Sequence, residues 1–148
     1  MQDYDTEIRR LTLAMNKIDG AYYFFARKLG IKENTLAVLY AIDDGKPHSQ
    51  KQICEEWLIP KTTISTIIKE LTGLGIVCLL PAGHTKEKTI CLTDKGRRYV
   101  NKILKPVYEA ERQAIESTFR EFSPECVAAM EHFAKCLCTE LKKRSLEE

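Results

Sequence analysis

The stretch that decides the fold is residues 49–77, SQKQICEEWLIPKTTISTIIKELTGLGIV. Ser49, with Gln52 three positions later, forms a capping box, which predicts a helix from Gln50 to about Trp57 that buries Ile53, Cys54 and Trp57. Pro60 predicts that a second helix begins near Lys61, because the N–H that proline lacks would have no helical partner there. Two helices joined by so short a turn are typical of a helix-turn-helix.

The second helix, Lys61 to Leu74, divides into an apolar face and a polar face. Apolar residues at helical spacing predict the buried face: Ile64, Ile67, Ile68 and Leu71. The opposite face has short hydroxyl side chains between two lysines: Lys61, Thr62, Ser65, Thr66 and Lys69. Because this face has no carboxylate to repel phosphate, we predict that it contacts DNA. A solvated helix face is the alternative.

A β-hairpin is predicted next to these helices. Residues 76–80 and 89–92 are strand-like, and residues 81–88 form the tip between them. His84, Lys86 and Lys88 are predicted DNA contacts on this hairpin, with a solvated tip as the alternative. Thr93 is a predicted cap for the following helix. Arg97 and Arg98, in the first turns of that helix, could meet either phosphates or acidic neighbours.

The segments before and after the helix-turn-helix and the hairpin are predicted to form helices that support them. An apolar stripe predicts a helix from Asp5 to Leu29, roughly 37 Å long at 1.5 Å per residue, so part of it is predicted to meet another subunit. A second helix is predicted from Lys32 to Ile42. After Thr93, a long helix is predicted to be kinked at Pro106. A last helix begins near Glu125, and its apolar stripe is Val127, Met130, Phe133, Leu137 and Leu141.

Composition and charge agree with this interpretation. The chain has 148 residues and a net charge of +2, but residues 45–98 have nine Lys or Arg residues against five Asp or Glu residues. Local positive charge is what phosphate binding requires, because salt screens exposed charges beyond about 8–10 Å. No apolar run approaches the roughly 20 residues of a membrane span, and the N-terminus does not resemble a secretory signal. We therefore predict a cytoplasmic protein.

The six cysteines include no CxxC pair, so reduced thiols are predicted rather than a disulfide framework. Cys54, Cys78 and Cys91 are predicted to be small buried apolar residues. His132 and Cys136, with Cys138 nearby, could begin a metal site, but no third ligand is evident, and no metal or cofactor is predicted. Cys126, near a helix start, could be a redox sensor; an ordinary thiol is the simpler interpretation.

The order of elements resembles the MarR family of winged helix-turn-helix transcription regulators over nearly the whole chain. The residues that carry the resemblance are TISTIIKELTGLGIV at 63–77 and LTDKGRR at 92–98. The resemblance implies a homodimer in which the first and last helices interlock, the recognition helix enters the major groove, and the hairpin, or wing, reaches the minor groove. It also implies a small aromatic effector, for which Tyr22, Phe25 and Tyr40 are candidate binding residues; core packing is the alternative for these side chains.

The wing departs from the family pattern. Family wings commonly carry an Asp-x-Arg pair, and the matching positions here are His84 and Lys86, while a commonly basic position of the first wing strand is Leu79. Lysine lacks the planar fork of arginine, so we expect weaker wing contacts or contacts confined to the DNA backbone. This departure keeps open an alternative function, a winged-helix protein-interaction module or redox or ligand sensor with weak DNA binding. An enzyme is disfavoured, because the three histidines are scattered along the chain.

The predicted fold class is therefore mainly α with a small β-hairpin, a winged helix-turn-helix flanked by dimerisation helices. We predict a single domain over residues 1–148, with the DNA-binding lobe at about 31–98 and the dimerisation layer at 1–30 and 99–148. The predicted function is a dimeric, sequence-specific transcriptional regulator, a repressor relieved by a small-molecule effector. Its two recognition helices would enter successive major grooves of a pseudo-palindromic operator, about 34–36 Å apart.

Overall fold

A computed structural model describes residues 3–145, which are mostly helical with one small sheet. The helices in this part of the chain are α1 (Asp5–Lys28), α2 (Glu33–Ile42), α3 (Gln50–Trp57), α4 (Lys61–Gly73), α5 (Asp94–Glu121) and α6 (Glu125–Ser145). The strands are β1 (His48–Ser49), β2 (Val77–Pro81) and β3 (Lys88–Leu92). The predicted fold class, mainly α with a small β-hairpin in a winged helix-turn-helix, is confirmed, and dimerisation of the flanking helices stays a prediction. The predicted domain bounds stay a prediction, and their ends at residues 1–2 and 146–148 lie outside the described residues.

The helix-turn-helix begins at the predicted capping box. The Gln52 N–H donates to Ser49 Oγ at 3.2 Å, and the Ser49 N–H donates to Gln52 Oε1 at 2.8 Å. Helix α3 ends at Trp57, and the C-cap residue Leu58 has a φ of 50°, in the left-handed region. The predicted burial is correct for Ile53 and wrong for Trp57, which is 40% exposed and lies edge-on to the Tyr40 ring.

The buried side of α4 lies in the centre of the core. The four predicted residues Ile64, Ile67, Ile68 and Leu71 are at most 3% exposed. They pack among residues of α2, α3 and β2, the elements that α4 contacts. From α2 the core receives Leu36, Val38 and Leu39. Because this packing fixes one face of α4, the opposite face is held toward solvent.

The sheet has three strands rather than the predicted two. Its order is β1-β3-β2, and both pairs are antiparallel. In β1, His48 lies opposite Ile90 and Ser49 lies opposite Thr89. The strand β1 has only two residues, so it shows no alternation in the sequence that would predict a strand.

The two faces of the sheet differ in burial, since successive residues of a strand point to opposite sides. Val77 and Ile90 are on the buried face. Cys78 and Cys91 lie opposite each other on the other face and are half-buried, as is Cys54 in α3. The prediction that these three cysteines are small buried residues is therefore only partly correct, since each is half-buried.

Helix α5 begins at the predicted cap, where the Gly96 N–H donates to Thr93 Oγ1 at 2.9 Å. The helix continues through Pro106 without interruption. By its internal contacts the chain forms two compact units, Met1–Leu104 and Lys105–Glu148. No helix within residues 3–145 combines the length and the apolar character needed to cross a membrane.

Candidate nucleic-acid interface

The exposed face of α4 contains all five predicted contact residues. Lys61, Thr62, Ser65, Thr66 and Lys69 are all directed away from the core, opposite the buried isoleucines. The Thr66 hydroxyl donates to the Thr62 carbonyl oxygen at 3.0 Å, which leaves its oxygen as an acceptor. Glu70, the first carboxylate on this helix, lies 3.7 Å from Lys32. Neither Lys61 nor Lys69 forms an ion pair within residues 3–145, so the positive charge of this face is not neutralised.

The wing presents a second set of basic side chains. Its tip, residues 82–87, is closed by the Ala82 N–H, which donates to the Glu87 carbonyl oxygen at 3.4 Å. The Thr85 hydroxyl donates to the Ala82 carbonyl oxygen at 2.9 Å, and Gly83 supplies a φ of 59° for the turn. This local bonding leaves His84, Lys86 and Lys88 exposed. The structure thus directs all three predicted wing residues to solvent, although it does not test whether they bind DNA.

Two open cavities lie between α3 and the wing. The first has a volume of about 420 Å³ and is lined by Pro47, His48, Ser49, Lys51, Gln52, Glu55, Ala82, Thr85, Glu87 and Thr89. The second has a volume of about 590 Å³ and is lined by Ser49, Gln50, Lys51, Cys54, Glu55, Lys61, Lys86, Glu87 and Lys88. The second cavity brings Lys61 of α4 together with Lys86 and Lys88 of the wing. The predicted α4 and wing residues therefore share one groove.

The charge of this second cavity, which we call the lysine groove, is positive. Of its four lysines, Lys51 pairs with Glu55 at 4.0 Å, and the other three have no ion pair in the described part of the chain. Glu87 is the only other carboxylate among its lining residues. Lys51 is a groove residue that was not predicted from the sequence, although its position in the first turn of α3, beside the predicted capping box, was a usable signal. Such a groove has the charge and the donors to hold a phosphate oxygen.

Hydrogen bonds at Thr93 fix the base of the wing against the end of α4. The Thr93 hydroxyl donates to the Gly75 carbonyl oxygen at 2.6 Å, and the Thr93 N–H donates to the Ile76 carbonyl oxygen at 3.1 Å. Lys95 Nζ donates to the carbonyl oxygen of Leu74, the C-cap of α4, at 2.6 Å. The last turn of α4, the start of β2 and the start of α5 are thereby joined, which sets the wing's position beside the recognition helix.

The other side of the wing is held by His48, which is 9% exposed. The Asp44 carboxylate lies 2.7 Å from His48 Nε2 and accepts a second hydrogen bond from the Lys46 N–H at 2.9 Å. The bond to His48, followed by the Lys46 N–H, lowers the pKa of Asp44. This arrangement anchors β1 beside β3 and forms part of the wall of the first cavity.

The candidate effector residues lie on α1 and α2. Tyr22, Phe25 and Tyr40 are each half-buried. The Tyr40 ring centroid is 5.7 Å from that of Trp57, so Tyr40 packs against the end of α3. The two cavities beside the wing are lined by other residues. The structure leaves the effector role untested.

The remaining sequence candidates are dispersed. Arg97 and Arg98 are exposed near the start of α5. On α6, His132 Nε2 lies 3.4 Å from Cys136 Sγ, and both Cys136 and Cys138 are exposed. In the described part of the chain, no group of three or more His, Cys, Asp or Glu residues is arranged to hold a metal ion.

Comparison with known proteins finds a match to one family model in the sequence and similar folds among solved structures. Residues 29–85 match the sequence model of the MarR family. The fold is similar to that of a MarR family regulator from Neisseria meningitidis, at 23% identity and a TM-score of 0.72, over 99% of each chain. It is also similar to the transcription regulator MarR from Oenococcus oeni, at 19% identity and a TM-score of 0.69, over 88% of this chain and 97% of that one.

A third similar structure is wild-type MarR from E. coli in its apo form, at 18% identity and a TM-score of 0.61, over 87% of this chain and 94% of that one. No curated protein matches this chain. At these identities the structural likeness shows the fold, and the matched residues 29–85 include α2, α3, α4 and β2.

Proposed function

We propose that this chain is a member of the MarR family and a sequence-specific DNA-binding transcriptional regulator, since residues 29–85 match the model of that family and the fold is similar to those of its members. The observation that carries the proposal is the exposed face of α4, with three hydroxyl side chains and two lysines that have no ion pair among the described residues. Hydroxyl groups donate to and accept from base edges, and lysines neutralise phosphates. In this proposal α4 is the recognition helix and lies in the major groove. Such a regulator acts in the cytoplasm, the predicted location.

The lysine groove gives the DNA strand a second contact. It lies between the start of α4 and the wing, where a strand leaving the major groove toward the minor groove would pass. Lys61, Lys86 and Lys88 would each neutralise a phosphate there. Because His84 and Lys86 replace the usual Asp-x-Arg pair, the wing contributes affinity more than sequence specificity.

Homodimerisation is supported by apolar side chains that the single chain leaves exposed. In α6 no residue is buried, and Val127, Met130, Leu137 and Leu141 are 39–58% exposed. In α1, Ala26 is the one buried residue, while Ile8, Leu13, Ile18 and Phe24 are 49–68% exposed. Covering these helices with a second copy would remove this apolar area from water. Two copies would also supply two recognition helices for a pseudo-palindromic operator.

We further propose that the regulator is a repressor and that a small aromatic effector relieves repression. Half-buried Tyr22, Phe25 and Tyr40 are the candidate contacts for the effector. Relief would require the effector to bind the conformation with low DNA affinity more tightly than the other conformation. Titration of candidate phenolic compounds against the preformed DNA complex tests this part.

The experiment that tests DNA binding is fluorescence anisotropy on the duplex upstream of the protein's own gene, across a salt series with unrelated DNA as competitor. Specific binding should survive the competitor and weaken steeply with salt. The double variant Lys61→Glu, Lys69→Glu should abolish binding while it leaves the unfolding curve close to wild type. The matched control is Lys135→Glu with Lys142→Glu on α6, which should keep specific binding.

The alternative function, a winged-helix protein-interaction or sensor module, is favoured by one observation, the absence of arginine from the wing tip. It predicts weak binding that is indifferent to DNA sequence. Under this alternative the Lys61→Glu, Lys69→Glu variant would behave like wild type in the DNA assay.

A further inference from the structure

Two cysteines of the wing lie directly opposite each other in neighbouring strands. Cys78 of β2 is the register partner of Cys91 of β3, and both are free thiols. They share the face of the sheet that points away from Val77 and Ile90, and they are half-buried. Directly opposed residues of an antiparallel pair point to the same side, so the two thiols are neighbours.

The backbone spacing of this pair suits a disulfide. The Thr93 N–H bonds to Ile76 on one side, and the Ala82 N–H bonds to Glu87 on the other. Hydrogen-bonded and non-hydrogen-bonded pairs alternate along an antiparallel ladder. Ile76 and Ala82 are each an even number of residues from Cys78, so Cys78 and Cys91 also form a hydrogen-bonded pair. The α carbons of such pairs are about 5.5 Å apart, inside the window of about 4.4–6.8 Å that disulfides span.

Closing the bond would nevertheless strain the strands. Opposed β carbons lie about 4.5–5.5 Å apart in a ladder, whereas a disulfide needs about 3.5–4.5 Å. The strands must therefore twist and approach each other by roughly 1 Å. A strained disulfide is easily reduced, which is typical of regulatory rather than structural disulfides.

We propose that Cys78 and Cys91 are a reversible oxidation site at which a hydroperoxide forms an intrachain disulfide in the wing. The thiolate of one cysteine attacks the peroxide, forming an S–O bond as the O–O bond breaks and an alcohol leaves. The second thiol attacks that sulfur, forming the S–S bond as water leaves. The two thiols lose two electrons and two protons, which reduce the hydroperoxide to alcohol and water. Cellular thiols reduce the bond again.

The disulfide would act on the wing through β3. This strand is bonded to β1 on one side and to β2 on the other, and it starts at Lys88 of the lysine groove. Twisting β2 against β3 would displace the tip relative to α4, which the Thr93 hydrogen bonds hold in place. DNA affinity should then fall severalfold on oxidation. This consequence rests on the proposed function, whereas the oxidation site itself does not.

The test of the site is peptide mapping of the full chain after treatment with hydrogen peroxide or an organic hydroperoxide. Trypsin places Cys78 in the peptide Glu70–Lys86 and Cys91 in Thr89–Lys95, each as its single cysteine. The expected result is that these peptides are joined in the unreduced digest and separate with a reducing agent. Cys78→Ser and Cys91→Ser should abolish the joined peptide, and Cys126→Ser should retain it.

Persistence of both thiols while the exposed Cys136 and Cys138 become oxidised would overturn the proposal. DNA affinity is then compared for the oxidised and reduced forms of wild type and of Cys78→Ser. A severalfold loss in wild type alone supports regulation, and equal affinity of both wild-type forms overturns it. If the reduced protein binds no DNA, the proposed function fails, while the peptide map still decides the oxidation site.

Discussion

Gly96, in the first turn of α5, lies directly against the carbonyl group of Ile76 at the start of β2. A β carbon at position 96 would lie well inside contact distance of the Ile76 oxygen and 2.9 Å from its carbonyl carbon. The neighbour is backbone that already accepts hydrogen bonds from Thr93, so it has little freedom to move. Glycine at position 96 is therefore a packing requirement of the joint between α5 and the wing.

Gly96→Ala should lower the free energy of unfolding by about 2 kcal/mol or more, because overpacking of a fixed site costs roughly 1–3 kcal/mol. Urea unfolding followed by circular dichroism measures the loss. Gly73→Ala at the end of α4 is the matched control, since nothing lies within 4 Å of an added β carbon there. The control should be neutral or slightly stabilising. Equal stability of both variants would contradict the close approach at Gly96.

Leu58→Gly should raise the free energy of unfolding by about 1 kcal/mol, since a left-handed conformation costs an L-residue roughly 1–2 kcal/mol that glycine avoids. Leu58 has a φ of 50° and is 72% exposed, so little buried apolar area is lost. Leu74→Gly is the control, because Leu74 is also exposed but has a φ of −80°. That control should be less stable than wild type. A loss of stability in Leu58→Gly would mean that a contact of the leucine side chain outweighs the strain.

Lys86→Ala and Lys88→Ala should each weaken DNA binding similarly for all sequences. The slope of log affinity against log salt should become shallower by about 1 for each phosphate contact removed. Anisotropy titrations at several salt concentrations give this slope. Lys135→Ala, at an exposed position of α6, serves as the control and should leave the slope unchanged. Unchanged slopes in the two wing variants would exclude the lysine groove as a phosphate site.

Leu137→Glu should weaken the proposed dimer by roughly 2 kcal/mol or more, about thirtyfold in dissociation constant, because it introduces an unpaired charge into an apolar interface. Sedimentation equilibrium measures the change. Thr139→Glu adds the same charge two residues further along α6, on the opposite side of the helix. It should leave dimerisation intact. If both variants dimerise like wild type, this face of α6 is not part of the interface.

Asp44→Asn should make the free energy of unfolding less sensitive to low pH. The pKa of Asp44 is lowered from its ordinary value of 3.8 by the bond to His48 and then by the Lys46 N–H. A lowered pKa in the folded state means that the ionised carboxylate stabilises the fold above this ordinary value, and that the contribution is lost as pH falls through the lowered pKa. Wild type should therefore lose stability more steeply than Asp44→Asn as the pH falls below 3.8, the ordinary pKa of this carboxyl.

Urea unfolding at several pH values measures this difference. Asp19→Asn, at an exposed position of α1, is the control and should follow the wild-type curve. If Asp44→Asn follows it as well, ionisation of Asp44 does not stabilise the fold.

Local sequence signals predicted most of the winged helix. The capping box at Ser49 and Gln52 predicted where α3 begins, because its two hydrogen bonds depend on residues three positions apart. The spacing of Ile64, Ile67, Ile68 and Leu71 predicted the buried side of α4, and with it the exposed face.

The features that sequence reasoning missed depend on contacts between distant residues. The strand β1 is too short to show alternation, and only its pairing with β3 defines it. Trp57 has a large apolar side chain of the kind found in protein cores, but it lies at the last position of α3 and is partly exposed beside Tyr40. The opposition of Cys78 and Cys91 depends on the register of a hairpin whose loop length could be predicted only approximately. The lysine groove likewise requires the wing to be placed beside α3.

The pairing of β1 with β3 has a consequence for the continuity of the chain. The segment that enters the helix-turn-helix and the segment that leaves the wing tip are neighbours in one sheet, and β3 lies between β1 and β2. A protease that cleaved the chain in the exposed tip, after Lys86, would produce two fragments with no covalent bond between them. The strand order would still hold the second fragment through hydrogen bonds on both edges of β3. The nicked protein would therefore remain assembled, a fragment-complemented winged helix.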